Sequence, residues 1–356
     1  MAGDLEALRK EIDKVDEGIL DLLNKRAEFV VQVGKVKKVA KETFYAPNRE
    51  REILNRLQKM NRGPFPNEAL QIIFREILSA SLALEEPLKV AYLGPKATFT
   101  HQACIQKFGL SATYIPATSI REVFNEVDRG RAEFGVVPIE NSTEGVVNHT
   151  LDMFVDSDLL ISAEILQEVS HHLLSKGGKL SDVKRIYSHP HAIAQCSGWL
   201  EANLPHVPTT EVYSTAKAAE WCVEDPTAGA IASELAGRLY GLQILKKKIE
   251  DNPNNMTRFL VISKRPAVRT GRDKTSVVFS IKDRVGALYD MLKPFSANTI
   301  NLTKIESRPS KKKAWEYLFY VDLAGHLDDE NVKTALKELK GQCLFLKILG
   351  SYPMAA

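Results

Sequence analysis

Motifs that mark several common enzyme classes are missing from this chain of 356 residues. It contains no GxGxxG or GxxxxGKS/T loop for holding phosphates and no HExxH motif for zinc. The His171-His172 pair and the His189-Pro190-His191 run lack carboxylate or cysteine partners at the spacing of metal ligands. We therefore expect a protein that works with no nucleotide cofactor and no metal ion.

Cysteine and unbalanced charge are also scarce. The 4 cysteines form no CxxC pair, which is typical of reduced thiols in a cytoplasmic protein and not of a disulfide framework. The net charge is only +3, too small to indicate nucleic acid as a partner. No apolar run approaches the length of a membrane span, and the acidic, amphipathic N-terminus does not have the pattern of a signal peptide. We expect a cytoplasmic protein without a membrane partner.

The first 86 residues predict a helical module. Apolar residues recur at alternating steps of three and four, a heptad pattern along one long helix that no proline interrupts. The seam consists of Leu5, Leu8, Ile12, Val15, Ile19, Leu22, Arg26, Phe29, Val33 and Val36. Further helices are predicted at about 47–60 and 67–85, separated by a Gly-Pro-Phe-Pro break. A seam this long requires a partner helix, so we expect a bundle and a homodimer or higher homo-oligomer.

Charged residues in this module indicate an anion site. Arg26 occupies a seam position, where a buried charge needs a counter-ion. Lys37 points within roughly 20° of the same direction on a helix with about 100° per residue, whereas Arg9 points aside toward a neighbouring subunit. Ser81 and Glu85 share one face of the third helix. For any one of these charges alone, a structural ion pair or a register-setting residue is the alternative.

This segment resembles the all-helical chorismate mutase family in the motifs LxxLRxxIDxxDxxILxLLxxR at 5–26, VGKVK at 33–37 and NRERE at 48–52. The resemblance implies a site where three arginines hold the substrate carboxylates, two residues face the ether oxygen and two lie near the hydroxyl. The three arginines would be Arg9 of the other protomer, Arg26 and Arg49. Lys37 and Glu85 would face the ether oxygen, and Glu50 and Ser81 would lie near the hydroxyl.

The reaction of this family fits those residue types. A Claisen rearrangement needs a compact substrate conformer and donors aimed at the oxygen that gains negative charge. Glu85 departs from the family pattern, where a neutral glutamine is common, because an ionised carboxylate cannot donate a hydrogen bond. We hypothesise that Glu85 acts in its protonated form. Another departure lies at Tyr45 or Ala46, where the family often has an aspartate.

Residues 87–265 predict an α/β domain of two lobes. Short strand-like apolar runs alternate with helical segments, which is typical of largely parallel sheets, and ligands of such folds bind at strand ends. Polar residues collect at the predicted strand ends. They are Thr98, Glu140, Asn141, Ser142, Ser188, His189, Ser214, Thr215, Thr257 and Arg258. Each alone is also a plausible helix cap or turn residue, but together they outline one pocket.

Thr257 and Arg258 lie where an Asn/Pro-rich loop enters a strand. These residues alone are compatible with two interpretations, an anion site or a turn with a solvated arginine. The domain resembles the prephenate dehydratase family. The shared motifs are GPKATFTHQA at 94–103, PIENSTEGVV at 138–147, SHPHAIAQC at 188–196, STAKAA at 214–219 and MTRF at 256–259. The resemblance implies a fold like that of periplasmic binding proteins, with Thr257 catalytic, Arg258 anchoring the substrate and Phe259 packing against its ring.

The implied reaction expels carbon dioxide and a hydroxyl while the ring becomes aromatic. It needs a proton at the leaving hydroxyl, so Thr257 positions or relays one, with Glu140 or His189 as open alternatives for its partner. An ion pair with the ring carboxylate would stabilise the group that must leave, so we expect Arg258 to bind the side-chain carboxylate. The departures from the family pattern are Ala97, where glycine is common, and His191, where glutamine is common.

Residues 266–356 predict a regulatory domain. A basic linker at 265–274 precedes elements in the order βαββαβ, which is ferredoxin-like, with a lysine run at 311–313 in a solvated hairpin. The segment resembles the ACT domain family in GAL at 286–288 and ESRP at 306–309. The resemblance implies an inter-subunit phenylalanine site. Its lining residues would be Gly286, Ala287, Leu288, Asn301, Glu306, Ser307 and Arg308.

The three modules, 1–86, 87–265 and 266–356, together imply one reaction sequence. Chorismate would be rearranged to prephenate and prephenate converted to phenylpyruvate, under inhibition by phenylalanine. These small molecules are the expected partners. The alternative is a non-catalytic amino-acid-binding regulator that keeps the binding-protein fold. The missing dinucleotide fingerprint argues against a mutase fused to a dehydrogenase.

Overall fold

The computed structural model describes residues 2–40, 45, 47–282, 284–309 and 317–355. Ala46 and the lysine run at 311–313, on which two expectations rest, lie outside these residues. The chain divides into two compact units, one of residues 1–88 with 108–113 and the other of residues 89–107 with 114–356.

The first unit is helical, as predicted. Its helices are α1 (Ala2–Ala40), α2 (Pro47–Met60) and α3 (Asn67–Glu85), and α3 packs against both of the others. Every apolar residue of the predicted seam on α1 is exposed, with 63% for Leu8 and 69% for Leu22. The seam therefore has no partner helix within the described part of this chain.

Residues 108–113 complete the first unit by hydrogen bonds to α3. Ser79 Oγ donates to the Phe108 carbonyl at 2.9 Å, and the Leu110 amide donates to Glu76 Oε2 at 2.9 Å. Between them Gly109 adopts φ 76°, and a Cβ at this position would lie 2.4 Å from Ser79 Cβ. Only glycine fits this turn against the helix.

The second unit begins with two α/β lobes. In chain order their elements are β1 (Lys89–Leu93), α4 (Phe99–Phe108), β2 (Thr113–Ala117), α5 (Ile120–Asp128), β3 (Phe134–Asn141), β4 (Gly145–Val146), α6 (Asn148–Asp156), β5 (Leu160–Glu168), β6 (His172–Ser175), β7 (Arg185–Ser188), α7 (Pro190–Gln195), α8 (Ser197–Asn203), β8 (Thr209–Glu211), α9 (Thr215–Cys222), β9 (Ala228–Ala232), α10 (Glu234–Tyr240), β10 (Gln243–Lys246) and β11 (Met256–Ser263). The sequence did not predict β4, β6 and β10. The single helix predicted at 191–203 is broken at Cys196 into α7 and α8.

The sheet of the first lobe has the order β2-β1-β3-β11-β5, with β4 paired to β3. β1 and β3 are parallel, but β11 runs antiparallel to both β3 and β5. The sheet is therefore mixed, and the prediction of largely parallel strands is wrong for its centre. The reason is that β11 enters from the second lobe and not through a helical crossover, which parallel neighbours require.

The sheet of the second lobe has the order β10-β6-β9-β7-β8. β7 is parallel to β8 and β9, whereas β6 is antiparallel to β9. Its core is fully buried and includes Leu173, Ile186 and Ile231. The chain crosses between the lobes twice, after β5 and before β11, as in a two-lobed binding-protein fold.

The C-terminal elements are β12 (Asp273–Ser280), α11 (Ala287–Ala297), β13 (Leu302–Pro309), β14 (Tyr317–Ala324), α12 (Glu330–Gln342) and β15 (Phe345–Pro353). The sheet order β13-β14-β12-β15, with all pairs antiparallel, confirms the ferredoxin-like prediction. The predicted basic linker ends earlier than expected, because Asp273 and Lys274 are already buried in β12.

One hydrophobic core joins the C-terminal sheet to the first lobe. It contains Ile161 and Leu260 from the lobe together with Val278 and Leu349 from the C-terminal domain. Gly350 makes the close approach of β15 to β5, since a Cβ there would lie 2.3 Å from the Ile161 carbonyl oxygen. The C-terminal sheet therefore packs directly on the sheet that contains β11.

Candidate active sites

Helices α1 and α3 bring together four residues predicted for the mutase-like site. Arg26 Nη1 contacts Ser81 Oγ, and Lys37 Nζ donates to Glu85 Oε2 at 3.0 Å. Burial lowers the pKa of Arg26, although the charge of Glu85 opposes this effect. The guanidinium and the ammonium, both partly buried, contact residues one turn apart on α3, and such a pair of cations can bind an anionic ligand.

The other residues predicted for this site lie elsewhere. Arg49 forms an exposed ion pair with Glu52, and Arg9 is exposed about 25 Å along α1 from Arg26 at about 1.5 Å per residue. Glu50 is only partly buried. Glu85 accepts the hydrogen bond from Lys37 through Oε2, and its action in the protonated form stays a prediction.

The α/β lobes contain a run of side chains that reaches Thr257, which we call the amide chain. Asn141 Nδ2 donates to Thr257 Oγ1 at 2.8 Å and to Asn255 Oδ1 at 2.7 Å. Asn255 Nδ2 donates to Gln195 Oε1 at 3.0 Å, and Gln195 Nε2 donates to Glu144 Oε1 at 2.9 Å. Since Gln195 belongs to α7 and the others to loops and strands of the first lobe, the amide chain links the lobes.

Backbone amides fix the orientation of Asn141. Its Oδ1 accepts hydrogen bonds from the amides of Thr143 at 2.9 Å and Glu144 at 3.0 Å. Because a backbone amide can only donate, Nδ2 of Asn141 must face Thr257. Thr257 Oγ1 therefore accepts, and its own hydroxyl hydrogen is available to a ligand.

The far end of the amide chain is fixed by a carboxylate. Glu144 can only accept, so Gln195 presents its amino group there and its Oε1 to Asn255. His171 Nε2 lies 2.9 Å from the same Gln195 oxygen, so this imidazole carries its proton on Nε2. Burial lowers the pKa of His171, which keeps the ring neutral.

Glu140 and His189 were the two residues considered as proton partners of Thr257. Neither is in the protonated, acidic form at neutral pH. Burial would raise the pKa of Glu140, but hydrogen bonding to Lys304 and the charge of Arg258 outweigh burial and lower it. Burial and the neighbouring His191 lower the pKa of His189. At neutral pH Glu140 is thus an ionised acceptor and His189 a neutral ring.

Arg258 lies on the face of β11 opposite Thr257, because successive residues of a strand point to opposite faces. Its Nε donates to Glu164 Oε2 at 2.8 Å, and Nη2 donates to the Tyr352 hydroxyl at 3.0 Å. Nη1 lies 2.7 Å from Asp322 Oδ2, and the side chain is only 8% exposed. This geometry contradicts the predicted contact of Arg258 with a substrate carboxylate at Thr257.

Arg258 is the centre of what we call the charge cluster. It contains three cations and three anions, Arg258, Lys274, Lys304, Glu140, Glu164 and Asp322. Burial alone would lower the pKa of Arg258, but Tyr352, Asp322 and Glu164 raise it. The charges at the interface between the first lobe and the C-terminal sheet thus compensate one another.

Phe259 returns to the face of Thr257 but is only 2% exposed. A side chain so deeply packed cannot offer a surface to a substrate ring, so its predicted contact with the substrate is also inconsistent with this geometry. Ala97, a departure from the family pattern, is buried with φ 68°, a conformation that glycine adopts at lower cost.

Most other predicted pocket residues satisfy local backbone groups. The hydroxyl of Thr98 accepts from the His101 amide, and that of Ser214 accepts from the Lys217 amide at the start of α9. Ser188 is fully buried and donates to the Ile231 carbonyl at 2.7 Å. The remaining ones are Ser142, which bonds the Met256 amide, His189, which caps α7, and the partly buried Thr215.

The residues predicted to line a phenylalanine site do not share one surface. On β13, Arg308 points toward the first lobe, where Nη1 lies 3.1 Å from Asp152 Oδ1, whereas Ser307 is exposed on the other face. Glu306 is partly buried and Asn301 exposed. At the start of α11, Gly286 has φ 79° and is exposed, Ala287 is buried and Leu288 is exposed.

Sequence reasoning missed four members of the site: Gln195, Asn255, Glu144 and His171. Gln195 and Glu144 fall inside motifs quoted above, but their positions in those motifs carried no functional signal. His191, a departure from the family pattern, lies with Nδ1 3.3 Å from Glu144 Oε2.

Metal-binding clusters and membrane-spanning helices are both absent from the described residues. These residues contain no group of three or more His, Cys, Asp or Glu side chains arranged to hold a metal ion. None of the helices among them is both long and apolar enough to cross a membrane.

Known proteins match nearly the whole chain. Residues 8–86 match the family "Chorismate mutase type II", residues 90–267 match "Prephenate dehydratase", and residues 275–341 match "ACT domain". A bifunctional chorismate mutase/prephenate dehydratase of Aquifex aeolicus is 55% identical over 356 residues, which is 99% of this chain and 98% of the relative.

Two solved structures resemble three quarters of this chain. Prephenate dehydratase from Arthrobacter aurescens in complex with L-Phe is 38% identical, with a TM-score of 0.70 over 75% of this chain and 90% of that one. A protein described as a quorum quenching acylase is 32% identical, with a TM-score of 0.69 over 75% and 98%. The fold alone thus accommodates more than one chemistry, but the match over the full length includes the helical module. The chain belongs to the bifunctional chorismate mutase/prephenate dehydratase family and combines an isomerase with a lyase.

Proposed function

We propose that this protein rearranges chorismate to prephenate in its helical unit and converts prephenate to phenylpyruvate between its α/β lobes. The boundaries would be those expected from the sequence, 1–86, 87–265 and 266–356. The amide chain carries the second half of the proposal, since it orients the hydroxyl of Thr257 between two lobes. Four free cysteines, three of them buried, support a cytoplasmic location.

In the helical unit, Arg26 would bind a carboxylate of chorismate and Lys37 would donate to the ether oxygen as its bond to carbon breaks. Lys37 is held 3.0 Å from Glu85, which keeps the ammonium in place before the substrate arrives. No proton transfer is needed, because the rearrangement only redistributes electrons around the substrate's own atoms. Positioning and charge stabilisation would supply the acceleration.

In the lobes, the Thr257 hydroxyl would protonate the leaving hydroxyl of prephenate. As the carbon–oxygen bond breaks, the bond between the ring and the carbon of the ring carboxylate also breaks and gives its electron pair to the ring. Water and carbon dioxide then leave. Thr257 Oγ1 gains negative charge during the transfer, and the hydrogen bond from Asn141 stabilises that charge until water returns a proton. This role needs the donor orientation that the backbone of Thr143 and Glu144 imposes.

The exposed seam of α1 supports a second copy of this chain as the partner of the helical unit. Leu22→Asp is expected to give a monomer and to abolish most mutase activity, because Arg9 of the other protomer would be lost from the site. The mass measured by light scattering and the mutase rate check this. Leu239→Asp, at an exposed leucine outside the seam, is the control and should leave both unchanged. A Leu22→Asp dimer with normal activity would contradict the proposed assembly.

The C-terminal domain is proposed to bind phenylalanine as a feedback inhibitor. Its match to the ACT family and the solved dehydratase that was described with L-Phe support this assignment. The residues proposed for the site remain those at 286–288 together with Asn301 and Glu306. Arg308 and Ser307 are less suited, because they point to opposite faces of β13.

The test of the proposed function is to supply chorismate and to follow prephenate and phenylpyruvate, with and without phenylalanine. We expect prephenate to rise first, phenylpyruvate to follow, and phenylalanine to slow the second step. Formation of neither product would favour the non-catalytic amino-acid-binding regulator. Prephenate without phenylpyruvate would overturn only the role of the lobes.

A further inference from the structure

Two ladder pairs at the end of β3 and the start of β11 lie side by side. Thr257 pairs with Asn141, and Arg258 pairs with Glu140. The first pair holds the oriented hydroxyl of the proposed dehydratase site. The second pair belongs to the charge cluster. Arg258 and Glu140, which follow Thr257 and precede Asn141 in the chain, are therefore both bound to the C-terminal domain.

All four strands of the C-terminal sheet contribute to this contact. Lys274 of β12 binds Glu164 with 2.9 Å between Nζ and Oε2, and Lys304 of β13 contacts Glu140. On β14, Asp322 lies 2.7 Å from the Arg258 guanidinium, and on β15 the Tyr352 hydroxyl accepts its Nη2 hydrogen bond at 3.0 Å. A movement of this sheet relative to the first lobe would therefore act on Arg258 and Glu140 together.

The cluster is rigidly held on the C-terminal side. Ser276 Oγ donates to Asp322 Oδ1 at 2.5 Å and lies 2.6 Å from the Tyr352 hydroxyl. On the site side, the ladder is irregular between Arg258 and Phe259, and such a bulge redirects neighbouring side chains. A displacement of the Arg258–Glu140 pair would thus be passed to the adjacent Thr257–Asn141 pair through one peptide unit on each strand.

We propose that Lys304 and Asp322 of the C-terminal domain are positioning residues for the dehydratase site. They hold the Arg258–Glu140 pair and so set the distance between Asn141 and Thr257, and an effector bound to the C-terminal domain acts on the reaction through them. The inference rests on the proposed function, because it assigns the regulation of that same site. Neither residue touches the substrate in this role.

Lys304→Met is the main test, with Lys304→Arg as the conservative variant that keeps the charge. We expect Lys304→Met to lower kcat for phenylpyruvate about fivefold to tenfold with little change in KM, since the donor is misplaced while the cleft is unchanged. Lys304→Arg should restore most of the rate. The mutase rate of the same protein is the internal control for the helical unit, and urea unfolding is the control for the unit that contains Lys304.

Lys347→Met is the matched control at the same interface. Lys347 also reaches the first lobe, donating to the carbonyls of Val155 at 3.2 Å and Ser157 at 2.6 Å, but it contacts neither ladder pair. A fall in kcat that is equal for Lys304→Met and Lys347→Met would overturn the positioning role, because it would show only a general need for the interface. A kcat within twofold of wild type for both Lys304→Met and Asp322→Asn would also overturn it.

Phenylalanine gives a second readout. In Lys304→Met and Asp322→Asn, the fold-inhibition at saturating phenylalanine should fall about fivefold or more, while calorimetry still detects phenylalanine binding. Inhibition equal to that of wild type in both variants would contradict transmission through these residues. If the wild-type protein forms phenylpyruvate but ignores phenylalanine, the regulatory assignment fails, and kcat of Lys304→Met alone decides the positioning role. If it forms no phenylpyruvate, the proposed function and the inference both fail.

Discussion

Thr257→Val is expected to lower kcat for phenylpyruvate formation by about 10³-fold, within the range of about 10² to 10⁴ that general acid catalysis contributes. Valine keeps the shape of threonine but removes the oxygen to which Asn141 donates at 2.8 Å. Steady-state rates with prephenate measure the effect. The mutase rate of the same chain should not change, because Arg26 and Lys37 belong to the other unit.

Thr257→Ser separates the role of the hydroxyl from that of the side-chain shape. Serine keeps the donor and the acceptor, so this variant should retain a rate much closer to wild type than valine does. A Thr257→Val protein with a rate near wild type would show that the proton comes from another group. The amide chain would then have only a structural role.

Arg258→Met is expected to destabilise the second unit by about 3 to 5 kcal/mol, the usual effect of removing one partner from a buried ion pair. The substitution leaves Asp322 inside the interface without its guanidinium partner and leaves Glu164 with Lys274 as its remaining cation. Urea unfolding measures the change in the free energy of unfolding. The exposed pair of Arg131 with Glu126 is the matched control, and Arg131→Met should change the stability very little.

The same variant separates two roles of Arg258. A residue that anchors the substrate would raise KM for prephenate and leave the free energy of unfolding unchanged. A residue that holds the interface would lower that free energy and reduce kcat. Normal stability with a raised KM for Arg258→Met would restore the anchoring role that the sequence suggested.

Acid should weaken the wild-type interface more than that of Arg258→Met. Burial would raise the pKa of Glu164, but Arg258 and Lys274 outweigh burial and lower it below the ordinary 4.5. A lowered carboxyl pKa contributes stability that is complete above the unfolded value and is lost as pH falls through the folded value. The wild-type free energy of unfolding should thus fall below about pH 4.5, with a shallower fall in the variant.

Much of this fold was predictable because local patterns determine it. The heptad steps of α1, the alternation of strands and helices in the lobes, and the βαββαβ order at the C-terminus each reflect a repeat of side-chain burial within one element. β4, β6 and β10, which have two or four residues, escaped prediction. Such short strands are stabilised by pairing with distant segments and not by their own sequence.

The candidate sites were only partly predictable. The sequence identified Arg26, Lys37, Ser81 and Glu85 as one group, since helical periodicity fixes which residues of a helix share a face. It also identified Thr257 and Asn141 as site residues, but it assigned Arg258 to the same ligand. Strand alternation points Arg258 away from Thr257, and only the packing of the C-terminal sheet supplies the partners that it meets there.

The sequence by itself determined the three modules, their order, the family and the residue types needed for two reactions. Those features depend on local periodicity and on short motifs, both of which can be recognised from the order of the residues alone. The tertiary structure alone decided the direction of the amide chain and the binding of Arg258 and Glu140 to the C-terminal domain. These contacts join residues 51 to 164 positions apart, and their geometry depends on how the sheets pack.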